Sequence, residues 1–209
     1  PYGGRLLSGS GPLFAPTKLV CHCLLIETSE GLVLVDAGLG TRDVESPERT
    51  LGREFLLFAQ PVRDPAETAL RQVEGLGFSR DDVRHIVLTH CDLDHSGGIV
   101  DFPKATVHVH ALEKEAVVHP KTRIERTRYA KAHFAHGPNW AVYQAKGEPW
   151  FGFECVRDLD RLPALHQPAG QLPPARAGPA AEHVRGGADA GVRRPVHHHG
   201  ARQDVRRRD

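Results

Sequence analysis

This sequence predicts an α/β fold, on three observations. Short apolar runs rich in β-branched residues alternate with segments of helical period. Gly, Pro, Asp and Ser separate the two kinds of segment. One buried-type run, RHIVLT, ends in a dense cluster of histidine and aspartate. A length of 209 residues suits one domain or a little more and allows a sizeable core.

The elements follow in order. LVCHCLLIE (19–27) and LVLVD (32–36) read as strands joined by the turn TSEG, a hairpin. DPAETALRQVEGLG reads as a helix: Asp64 caps it, Pro65 suits its first position, Glu67 completes a capping box and Gly77 lies past its end. Ala66, Ala69, Leu70, Val73 and Leu76 fall on one face at helical spacing and are expected in the core. Ser79 and Asp82 open a turn into the buried strand RHIVLT (84–89). A short helix is expected from about Gly97, then a strand in ATVHVH, a helix in ALEKEAVV and a last strand in WFGFECVRD (150–158).

Between the buried strand and that short helix lies HCDLDHSGG, with His90, Asp92, Asp94 and His95 inside six positions. A strand that ends in a tight loop fans out alternate side chains, so His90 and Asp92 can face one point while Asp94 and His95 face a second nearby. Imidazole with carboxylate suits zinc, iron or manganese. Ser96, Gly97 and Gly98 let the backbone turn sharply. A calcium loop is the competing reading, since DLDHSGGIVDFP matches the start of an EF-hand loop. Pro103 stands where that loop needs a bidentate glutamate, however, and a strand rather than a helix leads in. A purely structural polar loop is the third reading.

THCDLDHSGG resembles the T-H-x-H-x-D-H-x-G-G signature of the metallo-β-lactamase superfamily, and LVLVDAGLG (32–40) resembles its upstream V-D-T-G element. The resemblance runs from about Leu19 to about Asp158, and within the superfamily this region is most similar to the lactonase-like and glyoxalase-like hydrolases. It implies an αββα sandwich of which the first half is legible here and the C-terminal half missing or corrupted. It implies His90 as a ligand of a first metal, Asp94 and His95 as ligands of a second, and Asp36 as a residue that orients the metal loop. Asp92 departs from the pattern, which has histidine there; it is carried as a metal-ligand candidate, and it makes the site harder and opens iron or manganese beside zinc. The implied chemistry is attack of a metal-bound hydroxide on an ester, lactone or thioester carbonyl, with Asp94 as ligand and proton guide. No G-H-T-x-G-H motif follows Asp158. A catalytically inactive metal-binding or scaffold protein is therefore the alternative function.

Residues 161–209 have a different grammar. Arg, Ala, Pro and Gly fill 30 of the 49 positions, and there is no aromatic, isoleucine, lysine, serine, threonine or cysteine, too little apolar bulk to offset ordering. Those four residue types belong to GC-rich codons, so this segment is read as translated out of frame, with a basic disordered tail as the other reading. His166, His183 and the run HHH at 197–199 fall within it and are not assigned a role. The domain division expected is 1–160 and 161–209.

The tail also carries nine arginines against four acids, so the body is acidic and offers no nucleic-acid surface. A small-molecule substrate is the expected partner. There is no membrane-length apolar run and no signal peptide, and the chain begins at Pro1 without any methionine, so its start is expected to be missing and its location cytoplasmic. Cys21, Cys23, Cys91 and Cys155 form no CxxC and read as reduced, mostly buried thiols. His108 and His110 are expected at the surface or a helix start, His133 and His136 in a packed loop, 122–131 as a solvated basic helix, and Phe55, Leu56 and Phe58 in the core rather than over a pocket.

Overall fold

The computed structural model of the chain describes residues 18–156 and, outside them, residues 5, 9, 11–13, 158, 159 and 162. The segment 161–209, with His166, His183 and the triple histidine, lies outside the described residues apart from residue 162.

The hairpin forms as β1 (Leu24–Thr28) and β2 (Gly31–Val35), antiparallel, with Thr28 paired to Gly31. The first strand begins at Leu24 rather than near Leu19. Its turn is closed by Thr28 Oγ1 donating to the Gly31 carbonyl at 2.6 Å. Three short helices follow, α1 (Thr41–Glu45), α2 (Pro47–Thr50) and α3 (Arg53–Ala59). Phe58 on α3 is 59% exposed, so the expectation of core packing there is corrected.

The helix expected from Asp64 is split. Asp64 caps only a 3₁₀ turn, Pro65–Glu67, and α4 runs Ala69–Gly75 with Thr68 as its N-cap. Thr68 Oγ1 donates to the Pro65 carbonyl at 2.7 Å and accepts from Arg71 N, which holds Thr68 extended and restarts the helix. Ala66 is left outside the helix and exposed, whereas Ala69, Leu70 and Val73 are buried as expected.

Next come β3 (Val83–Val87), the polar loop, α5 (Leu93–Ser96) and a 3₁₀ turn over Gly97–Asp101. The helix after the loop therefore begins at Leu93, before the glycines, so Asp94 and His95 sit on a helical turn. Beyond lie β4 (Thr106–His110), α6 (Ala111–Val118), α7 (Arg123–Arg128), α8 (Lys131–Phe134) and β5 (Asn139–Tyr143). His110 caps α6, its Nδ1 accepting from Leu112 N at 3.2 Å. The expected last strand is a hairpin instead, β6 (Glu148–Trp150) and β7 (Phe153–Val156), because Phe151 and Gly152 both take positive φ and reverse the chain.

The strands β1 to β5 form one sheet in chain order, antiparallel at β1/β2 and parallel thereafter. One face carries Leu32, Leu34, Ile86, Val107 and Val109, packed against Leu70 and Val73 of α4 and against Ile99 and Phe102. Ile86, Ile99 and Phe102 are almost wholly buried, each contributing about 1.5–3 kcal/mol of apolar transfer. The other face carries Val33, Val87, His85, His108 and Tyr143. His108 is thus buried rather than at the surface. Its Nε2 lies 2.9 Å from His85 Nδ1 and its Nδ1 lies 2.8 Å from Tyr143 Oη, bonds that make two buried imidazoles tolerable in an apolar layer. No helix among the described residues is long and apolar enough to cross a membrane.

Candidate metal centre

The two sequence elements VDAGLG and DHSGG meet backbone to backbone. Ala37 N donates to the His95 carbonyl at 2.9 Å and Gly98 N donates to the Gly38 carbonyl at 3.0 Å. A Cβ at Gly98 would collide with the Ala37 carbonyl, and one at Gly97 with the Asp43 carboxylate. The glycines are there so that the strand end after β2 and the start of α5 can touch.

Asp36 sits at that junction with φ 55°, a left-handed conformation that an aspartate tolerates better than most residues. One carboxylate oxygen accepts from Thr89 N at 2.8 Å. The other accepts from Thr89 Oγ1 at 2.8 Å and lies 3.0 Å from His95 Nδ1. A carboxylate only accepts, so His95 donates from Nδ1 and keeps its lone pair on Nε2. The Thr89 hydroxyl has one proton, already given to Asp36. Its 2.9 Å contact with His90 Nδ1 therefore has the imidazole as donor, and His90 also keeps its lone pair on Nε2. One buried carboxylate thus fixes both tautomers, as the orienting partners of metal-bound histidines do.

The free nitrogens face carboxylates. His90 Nε2 lies 3.8 Å from Asp92 Oδ2, His95 Nε2 lies 3.8 Å from Asp94 Oδ2, and the two rings are 4.0 Å apart. Burial works against a proton on His95, but the hydrogen bond and charge of Asp36, with Asp94 and Asp92 beyond, outweigh it and hold its pKa above the ordinary value. All four residues of the sequence reading therefore stand on one small surface, as two imidazole–carboxylate pairs. Among the described residues no group of three or more His, Cys, Asp and Glu side chains closes into a shell that could hold a metal ion. In kind the donors fit a divalent transition metal: imidazole nitrogens with their lone pairs outward beside carboxylate oxygens, with no ring of oxygens of the sort calcium takes among the described residues. The fit is poorest at Asp92, which Arg128 grips with Nε at 2.9 Å and Nη2 at 2.7 Å from Oδ1. Arg128 is thus more than part of a solvated helix face.

Two groups near the centre, Cys21 and His133, are read from sequence only as a buried thiol and a packed-loop histidine, without their partners at the metal loop. Cys21 Sγ lies 3.4 Å from Asp94 Oδ2. Crowding of its sulfur and the Asp94 charge push the thiol up to about 12, so it donates, although the residue as a whole is exposed. Cys23 is half-buried and Cys91 buried, so the reading of mostly buried thiols holds for Cys91 and not for Cys21. The second group is a buried chain behind the loop. His133 Nε2 lies 2.8 Å from Asp43 Oδ1, and its Nδ1 lies 3.3 Å from Ser96 Oγ. Asp43 is 1% and His133 2% exposed, so this arrangement clamps α1, α5 and α8 together and is closed to substrate. Only the pairing of an aspartate and a histidine across 90 residues could have signalled it, and spacing along the chain carries no such information.

A cavity of about 430 Å³ opens beside the loop, lined by Arg49, Phe55, Leu93, Arg126, Tyr129 and Lys131 among others. Phe55 thus borders a pocket rather than packing in the core.

A mixed sheet with helices, a V-D-x-G turn braced against an H-x-D-x-D-H-S-G-G loop, and tautomers set by one aspartate define a metallo-β-lactamase fold. The chain belongs to the metallo-β-lactamase superfamily, whose family description matches residues 16–202, further than the sequence reading traced the resemblance. That family binds divalent metals. Probable metallo-hydrolases of Mycobacterium tuberculosis and Mycobacterium bovis are each 49% identical over 145 residues, 69% of this chain and 46% of theirs. An N-acyl homoserine lactonase of Bacillus thuringiensis is 30% identical over 109 residues, 49% of this chain and 41% of its own length. The crystal structure of a quorum-quenching N-acyl homoserine lactone lactonase aligns at 24% identity and TM-score 0.45, covering 59% of this chain and 44% of that one. The chain spans about half the length of the relatives it matches.

Proposed function

We propose that this protein is a metal-dependent hydrolase of esters, lactones or thioesters, with His90, Asp94 and His95 as the residues that would hold the metal, zinc first and iron or manganese as rivals. The observation that carries the reading is the tautomer relay: Asp36 and Thr89 leave Nε2 of both His90 and His95 as outward lone pairs. A structural bond from Nδ1 to Asp36 accounts for His95 alone; that both rings of the loop leave Nε2 free on the same surface is what favours a shared ligand. The ion, when bound, supplies Lewis acidity, which acidifies water and polarises a carbonyl oxygen.

The protein's own residues do the rest. Asp36 keeps His95 in one rotamer and one tautomer. Thr89 does the same for His90. Asp94 has an exposed edge and can take a proton at Oδ2 from an attacking water and pass it to a leaving oxygen or sulfur.

A catalytically inactive metal-binding or scaffold protein is the second reading, and one observation favours it: no three donors close together among the described residues. Turnover separates the two. The chain stripped of metal and reloaded with zinc, iron or manganese is assayed with lactone and thioester substrates. Slow metal-dependent turnover that His95→Ala removes supports an enzyme impaired by its few donors. Tight metal binding with no turnover of any substrate supports the alternative.

A further inference from the structure

We propose that Arg128 withholds Asp92 from metal, so that the loop takes up a single ion on its Asp94–His95 side, with His90 facing it. This rests on the metal-centre reading above and concerns which donors that centre can use.

Both oxygens of Asp92 are engaged by one guanidinium. Arg128 Nε donates to Oδ1 at 2.9 Å and to Oδ2 at 3.2 Å, and Nη2 lies 2.7 Å from Oδ1. Forked charge-assisted bonds of this kind are among the strongest a carboxylate makes, and a guanidinium cannot step aside by losing its proton.

Arg128 is itself held in place. It closes α7, whose start is fixed by a capping box between Thr122 and Glu125. Its Cζ lies 5.4 Å from the centroid of the Tyr129 ring. Tyr129 Oη approaches Glu113 Oε2 at 3.5 Å, and that same oxygen accepts from Cys91 N at 3.0 Å. The residue before Asp92 and the cation that grips Asp92 are therefore tied to one cluster of α6 and α7. Asp92 is 28% and Arg128 42% exposed in the side chain, enough shelter to define the pair without closing it off.

The other half of the loop is arranged differently. Asp94 meets the Cys21 sulfur, Sγ at 3.4 Å from Oδ2, and among the described residues no lysine or arginine pairs with it. A thiol contact is weak and is easily displaced by a cation. An ion on Asp92 would have to break the forked pair and then share the carboxylate with a fixed positive charge a few ångströms away. An ion on Asp94 and His95 meets no such competitor. The four residues thus divide into a reserved pair and an available pair, although the imidazole–carboxylate distance is 3.8 Å in both.

The test uses the full chain, stripped with a chelator and titrated with zinc against a chromophoric competitor, with ion counts by elemental analysis. Four proteins are compared: wild type, Arg128→Met, which keeps the aliphatic stem, Asp92→Asn, and the double variant. The expected results are one zinc in wild type and zinc affinity in Asp92→Asn within about twofold of it. Arg128→Met should bind zinc roughly tenfold tighter or take up a second ion, and the double variant should lose that gain. If Arg128 merely braces the loop, Arg128→Met binds zinc more weakly, and the proposal fails. It fails equally if Asp92→Asn alone loosens zinc tenfold or more, or if the gain in Arg128→Met survives the second substitution. Wild type that holds zinc with unchanged affinity in Arg128→Met sinks the proposal and leaves the metal centre standing. If none of the four holds zinc, the metal centre falls, and the proposal with it.

Discussion

His133→Ala is the sharpest perturbation of the buried chain behind the loop. It removes an imidazole that is 2% exposed and leaves Asp43, 1% exposed, with its Oδ2 bonded to Gly40 N at 2.8 Å and Oδ1 without its 2.8 Å partner. Breaking a buried pair from one side costs about 3–5 kcal/mol, because the surviving polar group stays desolvated. The cavity left by the ring adds to that. Against a total of about 5–15 kcal/mol for a typical domain, the loss is a large fraction. Ser96 loses its 3.3 Å neighbour as well, and the single Ser96 hydroxyl proton is shared between the Cys91 and Asp92 carbonyls, so the metal loop loosens along with α1 and α8. Urea unfolding of the metal-free proteins gives the number. The expected midpoint shift corresponds to about 3 kcal/mol or more at unchanged m-value. Asp43→Ala in the same background should add little, because the two residues act as a unit. A single-variant cost below about 1 kcal/mol, or full additivity of the two, would refute the reasoning.

Gly98→Ala forces a methyl into the Ala37 carbonyl, and with backbone on both sides the expected cost is about 2–3 kcal/mol in chemical unfolding, with weakened metal retention. The metal-free protein should also show a pH signature of His95, whose pKa is raised. A group with a raised folded pKa contributes stability that is full below its unfolded value, about 6.5, and is lost as pH rises through the folded value. Melting temperatures of wild type and Asp36→Asn should therefore converge as pH rises from 6 towards 9; a constant or widening gap contradicts the assignment. The two imidazole–carboxylate pairs on one loop also limit catalysis, so esterase, lactonase and thioesterase rates should be low; efficient metal-dependent turnover by this chain would show that the donor count is wrong.

Much of this fold is legible in the sequence because burial dictates it. The continuous apolar run LVLV and the β-branched run before His90 follow from local rules, and both form strands. The glycines after His95 are a local signal with a different meaning from the one expected: they permit close backbone approach rather than a sharp turn, and the helix starts before them at Leu93. The errors have local causes too. Thr68 breaks a helix because its hydroxyl competes for the backbone, and Phe151–Gly152 turn a strand into a hairpin through two positive φ values. β5 was missed because NWAVY lacks clean alternation and gains its strand from pairing with β4. At the site, the four ligand-type residues of one loop, two histidines and two aspartates, are a local signal, and the structure brings them onto one surface. The grip of Arg128 on Asp92, the approach of Cys21 to Asp94 and the His133–Asp43–Ser96 chain are contacts across 36 to 90 residues, set by packing alone.

The central claim is that His90 and His95 present their Nε2 lone pairs to a transition metal. Elemental analysis of the purified full chain beside the His90→Ala, His95→Ala double variant tests it most directly. Zinc, iron or manganese should be retained through desalting by the wild type and lost from the double variant, with calcium absent from both. Stoichiometric calcium without a transition metal, or equal metal content in the two proteins, would contradict it.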